Sequence, residues 1–586
     1  MMEYYFCVLE TSGYLNIELA FKALVDYQNS AVKKYFNEEV IKRYVNPKSR
    51  DWSTFALYNK SLTSFSFDCD FSDVYRTASL PESIRNYRNY INEIPYYKNA
   101  NENFYNSWNT DVKDFLPNNS AYFIFQMNED KTLLYIGLMT IKDDRQVSYY
   151  IKRIVLNREI NQKIDDMIQI IKTLKHILIK TVIVTDEEME KLFLEQNDKI
   201  TKILFDFENN LNDDIRNAFK DINDIINPII LETEEDTSKA NPKDKKAAAK
   251  KPADKGKKDA KKADNPDIPL PTSGIEQITF LIDTRLYDLP IESLSFFNKI
   301  PYKSNDFSLN VNIMRLKTVN FSSGSSSVSL PGTVRYYLDY SNEMKLKYNI
   351  FNIINENMAS ASGGGGKKDK DAPVVAGLEG VISSEHKPSI PELQKLYMNS
   401  NIFIFTSQTA LLYQFPFEIF DTSRFSKCRI GMIFDRISNT KNFVDQNSLI
   451  PKTFNFNYQP IDTIAMMTLS GVASIMTTKW SVDYNEVSEM INDIIEGSIQ
   501  KGDYMSYSIN KYKEPKRVPI EKKEEENVEE DDKNKKDNKK PTPKDKGKAP
   551  AKETVVLDET NSIEVKKNNV FKVAPIIYGL NNVKLV

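Results

Sequence analysis

The sequence predicts a mixed α/β fold, a layered sheet with helices on both faces that follows a helical and β-hairpin region. Three observations predict it. Short apolar runs alternate with capped amphipathic helices in the second half of the chain. Most of these runs are apolar without interruption, which is typical of strands that helices cover on both faces. Highly charged segments with few bulky apolar residues divide the pattern into blocks.

The N-terminal part predicts helices and then a hairpin. The segments AYFIFQM (121–127) and LLYIGLM (133–139) flank a short polar turn, which is a hairpin pattern. We therefore expect a mainly helical region over 1–115 and a hairpin with long helices over 116–236. The first helix is indicated by apolar residues at helical spacing, namely Ile17, Phe21, Leu24 and Val25.

Two amphipathic helices are predicted after the hairpin, because apolar residues three and four positions apart share one helix face. The first carries Ile160, Ile164, Met167, Ile168, Ile171 and Leu174. The second carries Leu211, Ile215, Phe219, Ile222 and Ile226.

A layered domain is predicted over 267–515, and an apolar segment within 562–586 should add the final strand to its sheet. Ser389 and Glu392 form a capping-box pattern with Pro391 in the first turn. A second helix carries Val487, Met490, Ile491, Ile494 and Ile495. The predicted strands are 278–283, 310–314, 334–339, 401–405, 429–434 and 473–478.

Two linkers and an insertion are predicted to be disordered, since they cannot offset chain entropy by burying apolar surface. They are the Lys-rich segment 237–266, the charged segment 516–561 and the glycine-containing insertion at about 358–385. The Lys-rich linker has two interpretations, a solvated spacer or an electrostatic contact with an acidic surface such as a microtubule. It lacks interleaved aromatic residues, so we expect no specific binding of nucleic acid.

Composition limits the available functions. The formal net charge of −3 gives no overall attraction to polyanions or membranes, and no run of 18 apolar residues could span a bilayer. The N-terminus lacks a signal-peptide pattern, and three widely spaced cysteines fit a reducing compartment, so we expect a cytoplasmic protein. With two histidines, no zinc site forms at a recognised spacing, and we expect no metal and no cofactor.

Nucleophilic catalysis would have to use one of the two histidines, His176 or His386. The least unfavourable pair is Cys428 with His386. A cysteine that precedes a strand is more often a small core residue, and His176 is expected at the surface of its helix. The sequence therefore predicts no catalytic residue.

Four segments, in order, resemble parts of the caspase-like CHAT domains, which are relatives of separase. In 278–297 the residues LPIESL (289–294) match the Leu-Pro-aliphatic-Glu-x-Leu signature of the first strand and turn. The segment 468–502 resembles the late turn, strand, tryptophan and acidic helix of that domain. The tail near 570–585 is similar to its last strand, and 116–139 resembles the hairpin that precedes it.

Active members of that fold place a His-Gly turn after one strand and a nucleophilic cysteine after the next. By resemblance, the histidine turn falls on Thr406-Ser407-Gln408-Thr409 and the cysteine on Phe434-Asp435-Arg436. Neither catalytic residue is present. The resemblance therefore implies a degenerate site at Ser407, Gln408, Asp435 and Arg436, without thiolate chemistry.

The combination resembles the C-terminal region of the cilia- and flagella-associated protein 46 family. The shared features are the passage SKCRIGMIFDR (426–436) and the run YYLDYSNE (336–343). The resemblance implies a non-catalytic protein of the ciliary axoneme and cytoskeleton, bound to other proteins of the central apparatus. Two alternatives stay open, namely an active CHAT-type cysteine peptidase that uses Cys428 and an electrostatic adaptor that uses the Lys-rich linker.

Overall fold

A computed structural model describes about half of the chain. The described residues are 16–36, 112, 114–180, 186–227, 275–319, 328–330, 333–339, 378–382, 386, 388–407, 411, 428–435, 460–480, 482, 484–495, 497–498, 503–513, 574–580 and 583–585. The linkers 237–266 and 516–561, which we predicted to be disordered, lie outside these residues.

The described elements are nine α-helices, two short 3-10 helices at Ile291–Ser293 and Ser295–Phe297, and thirteen strands. The helices are α1 Ile17–Tyr35, α2 Arg158–Lys180, α3 Asp186–Asn209, α4 Asp213–Ile226, α5 Leu309–Thr318, α6 Ile390–Met398, α7 Pro460–Leu469, α8 Tyr484–Ile495 and α9 Met505–Lys513. The strands are β1 Ser120–Met127, β2 Leu133–Ile141, β3 Val147–Val155, β4 Gln277–Ile282, β5 Tyr302–Asp306, β6 Val328–Leu330, β7 Val334–Asp339, β8 Leu378–Ile382, β9 Ile402–Ser407, β10 Ile430–Phe434, β11 Ser474–Thr478, β12 Pro575–Gly579 and β13 Val583–Leu585.

Eleven of these strands form one sheet in the order β3-β2-β1-β4-β5-β12-β11-β10-β9-β7-β8. Strands β1, β4, β5 and β12 are parallel to one another, and β11, β10, β9, β7 and β8 form a second parallel set. The two sets run in opposite directions and meet at the antiparallel pair β11–β12. The predicted fold class, an α/β layered sheet, is confirmed by this arrangement.

The predicted hairpin is present and extends the same sheet. Strands β1 and β2 pair in antiparallel register from Ser120↔Ile141 to Met127↔Leu134. In the turn, the Asn128 Oδ1 accepts hydrogen bonds from the backbone N–H groups of Thr132 and Leu133 at 2.8 and 2.9 Å. Because β1 is also parallel to β4, the hairpin region and the central block share one sheet.

Helices cover the central strands on both faces. The core residues of α8 and α9 belong to one apolar cluster, and those of α6 and α7 belong to another. Along β9, Ile402 and Ile404 contribute to the first cluster, whereas Phe403 and Phe405 contribute to the second. This double burial explains why β9 is apolar at consecutive positions.

The structure corrects two predictions. The segment 310–314, predicted as a strand, lies in α5, which begins at the N-cap Ser308. Its alternation of Asn310 and Asn312 with apolar residues imitates a strand, but all of these side chains are buried, so the helix has no solvent-facing polar side to reveal its period. The insertion predicted at 358–385 ends earlier, because 378–382 form β8 beside β7.

The predicted tail strand is confirmed as β12, which lies between β5 and β11. Gly579 ends this strand with φ +98°, and a Cβ atom there would stand 2.2 Å from the Ala473 carbonyl oxygen. Only glycine avoids this clash and accepts this backbone conformation. The close approach lets the Leu580 N–H donate to the Ala473 carbonyl oxygen at 3.1 Å.

A buried ion pair joins the two oppositely directed strand sets. Arg315 on α5 donates from Nε to the Asp306 Oδ2 at 3.1 Å and from Nη2 to the Thr468 Oγ1 at 2.6 Å. Its Nη1 donates to the carbonyl oxygen of Val472, just before β11. The Asp306 carboxylate also accepts from the Asn312 Nδ2 at 3.1 Å. Asp306 ends β5, so this network links β5, α5, α7 and the start of β11.

We predict that Arg315→Met lowers the free energy of unfolding by about 3–5 kcal/mol, because it leaves the Asp306 carboxylate buried without its counter-ion. The control is Asp165→Asn, which breaks an exposed ion pair with Lys131 and should change stability by less than about 1 kcal/mol. Urea unfolding of the full chain measures both. Equal effects of the two substitutions would contradict this account of the buried pair.

A buried carboxyl group lies in α1. Asp26 is 1% exposed, and neither of its oxygens has a hydrogen-bond partner among the described residues. Burial raises the pKa of Asp26 to about 8, against the smaller opposing effect of Lys33. The folded protein therefore keeps this proton at pH values where an unfolded chain, with a pKa of about 3.9, has lost it.

We predict that Asp26 makes the protein less stable as the pH rises from about 4 to 8, because the folded state binds the proton more tightly than the unfolded state there. Asp26→Asn should raise the free energy of unfolding at pH 8 by on the order of 3 kcal/mol and change it little at pH 4. Thermal unfolding at both pH values measures the effect. The exposed Asp224, replaced with Asn, is the control; a gain at pH 8 no larger than that of the control would refute the prediction.

Candidate functional site

Three neighbouring parallel strands end at one edge of the sheet in polar residues. Ser407 is the last residue of β9, Asp435 follows β10 and Lys479 follows β11. The register pairs Phe434 with Thr406, and one further residue along each strand sets Asp435 beside Ser407. An α/β sheet normally holds its reactive groups at such an edge, which we call the carboxyl edge.

At the carboxyl edge, the two described positions of the degenerate site that the resemblance implies are buried. Ser407 is fully buried and Asp435 is 2% exposed. The Asp435 Oδ2 accepts a hydrogen bond from the backbone N–H of Leu411 at 2.9 Å, so the carboxylate anchors the chain that follows β9. Gln408 and Arg436 lie outside the described residues. Of the four degenerate positions, the structure thus brings Ser407 and Asp435 together.

Cys428 lies at the opposite edge of the sheet. It precedes β10, seven residues before Asp435, which corresponds to roughly 20 Å along an extended strand. Its thiol is fully buried and donates to the Ile430 carbonyl oxygen at 3.6 Å. Burial raises the pKa of the Cys428 thiol to about 12, although Ser400, Tyr397 and Arg429 act against this rise. The reactive thiolate form is therefore scarce at neutral pH.

The structure does not bring Cys428 and His386 together. His386 follows the carboxyl end of β8, whereas Cys428 precedes the amino end of β10, which runs parallel to β8. Two strands separate β8 from β10, a distance of about 14 Å between strand axes. The His386 Nε2 lies 3.3 Å from both carboxylate oxygens of Glu392, the residue of the predicted capping box at the start of α6.

The capping box itself is confirmed. The Glu392 carboxylate accepts from the Ser389 backbone N–H at 2.7 Å and from its hydroxyl at 2.9 Å. These hydrogen bonds, the backbone one foremost, and the neighbouring His386 lower the pKa of Glu392. His386 therefore belongs to the start of a helix. The side chain of the other histidine, His176 in α2, lies outside the described part of the chain.

We predict that Cys428 in the folded protein resists alkylation by iodoacetamide at pH 7.5, because its thiol is buried and protonated. Peptide mass mapping should find the thiol unmodified until urea unfolds the chain. Cys428→Ala should lower the free energy of unfolding by about 1 kcal/mol, as expected for a small buried side chain. Alkylation of native Cys428 at the rate of a free thiol would contradict the structure.

The sequence analysis missed an ion pair at the carboxyl edge. Lys479 is fully buried, and its Nζ donates to the Glu292 Oε2 at 2.9 Å and to the Leu289 carbonyl oxygen at 2.8 Å. Burial acts to raise the pKa of Glu292, but the charges of Lys479 and Lys513 outweigh it, so this pKa is lowered. The available signal was a lysine between two apolar runs, directly before Trp480.

The described residues hold no group of three or more histidine, cysteine, aspartate or glutamate side chains that could bind a metal ion. In the same part of the chain, no helix has the length and apolar character needed to cross a bilayer. The carboxyl edge thus offers a serine, two carboxylates and a lysine, all engaged in internal contacts.

No protein-family model and no curated protein matches the chain. Two solved structures of the separase–securin complex of Saccharomyces cerevisiae are similar to it. The first has 12% identity and a TM-score of 0.47, with 97% of this chain and 36% of that chain covered. The second has 11% identity and a TM-score of 0.46, with 86% and 33% covered. The chain therefore spans about a third of the length of the chains that it matches.

Proposed function

We propose that this protein is a non-catalytic interaction protein, built on a caspase-like sheet whose active site has degenerated. The proposed place of action is the ciliary or flagellar axoneme, with central-apparatus proteins as partners. No cofactor takes part in this function. The proposed role is to hold neighbouring proteins in position and so to support the assembly or motility of the cilium.

The non-catalytic part of the proposal rests on the burial of the carboxyl edge. By the sequence resemblance, Ser407 and Asp435 correspond to the positions at which active CHAT-type proteins place a histidine turn and a cysteine. Both are buried, and the Asp435 carboxylate is hydrogen-bonded to the Leu411 N–H. A serine hydroxyl becomes a good nucleophile only when a base activates it, and it must also meet the substrate. Ser407 is fully buried, so a peptide substrate could not reach its hydroxyl.

The alternative function is a cysteine peptidase that uses Cys428. The position of this thiol argues against it, because Cys428 lies across the sheet from the carboxyl edge and its pKa is about 12. A nucleophilic cysteine needs a lowered pKa and a neighbouring base. The described part of the structure provides neither feature near Cys428.

The axonemal part of the proposal is supported by the sequence resemblance in 336–343 and 426–436. As a secondary element of the proposal, the Lys-rich linker 237–266 contacts acidic microtubule surfaces. Because fold alone does not determine function, the axonemal part of the proposal must be tested by where the protein lies in the cell and which proteins it contacts.

We predict that the tagged full-length protein is found in axonemes after detergent extraction, and that cross-linking joins it to central-apparatus proteins. The Asp435→Ala/Arg436→Ala double variant should be incorporated into axonemes less than wild type, because it removes the two consecutive charged side chains that follow β10. The matched control is Lys131→Ala/Asp165→Ala, which removes an exposed ion pair on the hairpin side. A protein that is entirely extracted with the cytosol would contradict the axonemal role.

The non-catalytic part is tested separately. Wild type and Cys428→Ala should give the same background with peptide substrates and with a thiol-directed activity probe. Peptide turnover that disappears in the Cys428→Ala variant would establish the peptidase alternative instead.

A further inference from the structure

Strand β3 forms one edge of the eleven-stranded sheet and is partly exposed to solvent. It pairs with β2 along all nine of its residues, and no described strand lies on its other side. Every residue of β2 is buried, whereas Ser148, Arg153 and Val155 of β3 are exposed. A long edge strand of this kind presents a row of backbone groups that can pair with another chain.

Alternate residues of β3 turn their backbone groups away from β2. The Leu156 N–H donates to the Thr132 carbonyl oxygen at 2.8 Å at the end of the β2–β3 ladder, and this bond fixes the alternation. The even-numbered residues of β3 therefore bond to β2, and the odd-numbered residues face outward. In the described part of the chain, the outward N–H and C=O groups of Val147, Ile151 and Val155 have no hydrogen-bond partner.

The length of β3 selects one antiparallel register with a second copy of the same strand. If Ile151 lies opposite Ile151 of the second copy, all nine residues of both strands are paired. The outward backbone groups of the odd-numbered residues then bond to one another. A two-fold centre at position 150 or 152 shortens the pairing to residues 147–153 or 149–155, because the chain turns before β3 and enters α2 after it.

The side chains of β3 are complementary in the same register. The strand carries two basic residues and no acidic residue. Arg153 lies opposite Tyr149 of the second copy, and Lys152 lies opposite Tyr150, so each cation meets an aromatic ring and not a like charge. The Tyr150 hydroxyl donates to the Asp221 Oδ2 at 2.9 Å, which also brings a carboxylate to the face that receives the second lysine. A centre at 152 would instead oppose Lys152 to its own copy.

We propose that β3 is an interaction surface for a second copy of this protein, and that the two chains join by antiparallel β3–β3 pairing about a two-fold axis at Ile151. The contact closes on itself, because each chain uses the same strand and no β3 edge remains open. The two eleven-stranded sheets become one continuous sheet. This pairing does not depend on the proposed axonemal location.

Sedimentation equilibrium of the purified full chain at micromolar concentrations tests the association, and wild type should form a dimer. Ile151→Pro removes an outward N–H but no bond to β2, and proline is tolerated at such a position of an edge strand. It should lower the association constant at least about ten-fold, because the two central hydrogen bonds are lost. Ile151→Thr keeps the N–H and is the control, which should associate like wild type. A wild type that is monomeric throughout, or a dimer that Ile151→Pro leaves unchanged, would overturn the proposal.

A cysteine scan tests the register without relying on the proline variant. Ile151→Cys should form a disulfide-linked dimer on mild oxidation, because residues in a hydrogen-bonded antiparallel pair have Cα atoms about 5.5 Å apart. Val155→Cys is the matched control and should not, since the two copies of position 155 lie about 27 Å apart along the paired strands. Wild type, with its own three cysteines, sets the background. No linked dimer from Ile151→Cys, as expected if a different chain covers β3, or equal linkage in both variants, would refute the proposal.

Discussion

The buried ion pair between Asp306 and Arg315 is the interaction on which the rest of the sheet depends. The sheet contains two parallel sets of strands that run in opposite directions, and β11–β12 is the one antiparallel junction between them in the described structure. Arg315, on α5, spans this junction because it donates to Asp306 at the end of β5 and to the Val472 carbonyl oxygen before β11. Because a buried guanidinium must satisfy its donors, it fixes the spacing of the two sets. Strands β10 and β9 continue the second set from β11, and the ends of these strands form the carboxyl edge.

The same constraint explains why the C-terminal tail belongs to the domain. Strand β12 fills the place between the two sets, and Gly579 allows its end to approach Ala473 where Arg315 also binds. Without β12, β5 and β11 would both present unpaired edges. A segment far along the chain is thus an internal strand of the sheet, and its apolar sequence is the consequence of burial on both faces.

Much of this fold could be predicted from local patterns, and the misses have physical reasons. The hairpin and the capping box of α6 depend on neighbouring residues, so the sequence indicates them directly. Helix α5 was predicted as a strand because Asn310 and Asn312 are buried instead of facing water, and the Asn312 Nδ2 donates to the Asp306 carboxylate. The pairing of Lys479 with Glu292 joins residues 187 positions apart, and no periodicity indicates such a contact. The structure places Ser407 and Asp435 side by side, and their burial depends on packing that the sequence does not indicate.

Hydrogen–deuterium exchange of the intact chain tests most directly whether the two strand sets form one unit. The account predicts that the amides of 302–306, 474–478 and 575–579 exchange together, through the same slow opening, and that they belong to the most protected part of the protein. If 575–579 exchanged within seconds while 302–306 stayed protected, the tail would not be a strand of this sheet. The joining of the two sets by Arg315 and Asp306 would then be wrong.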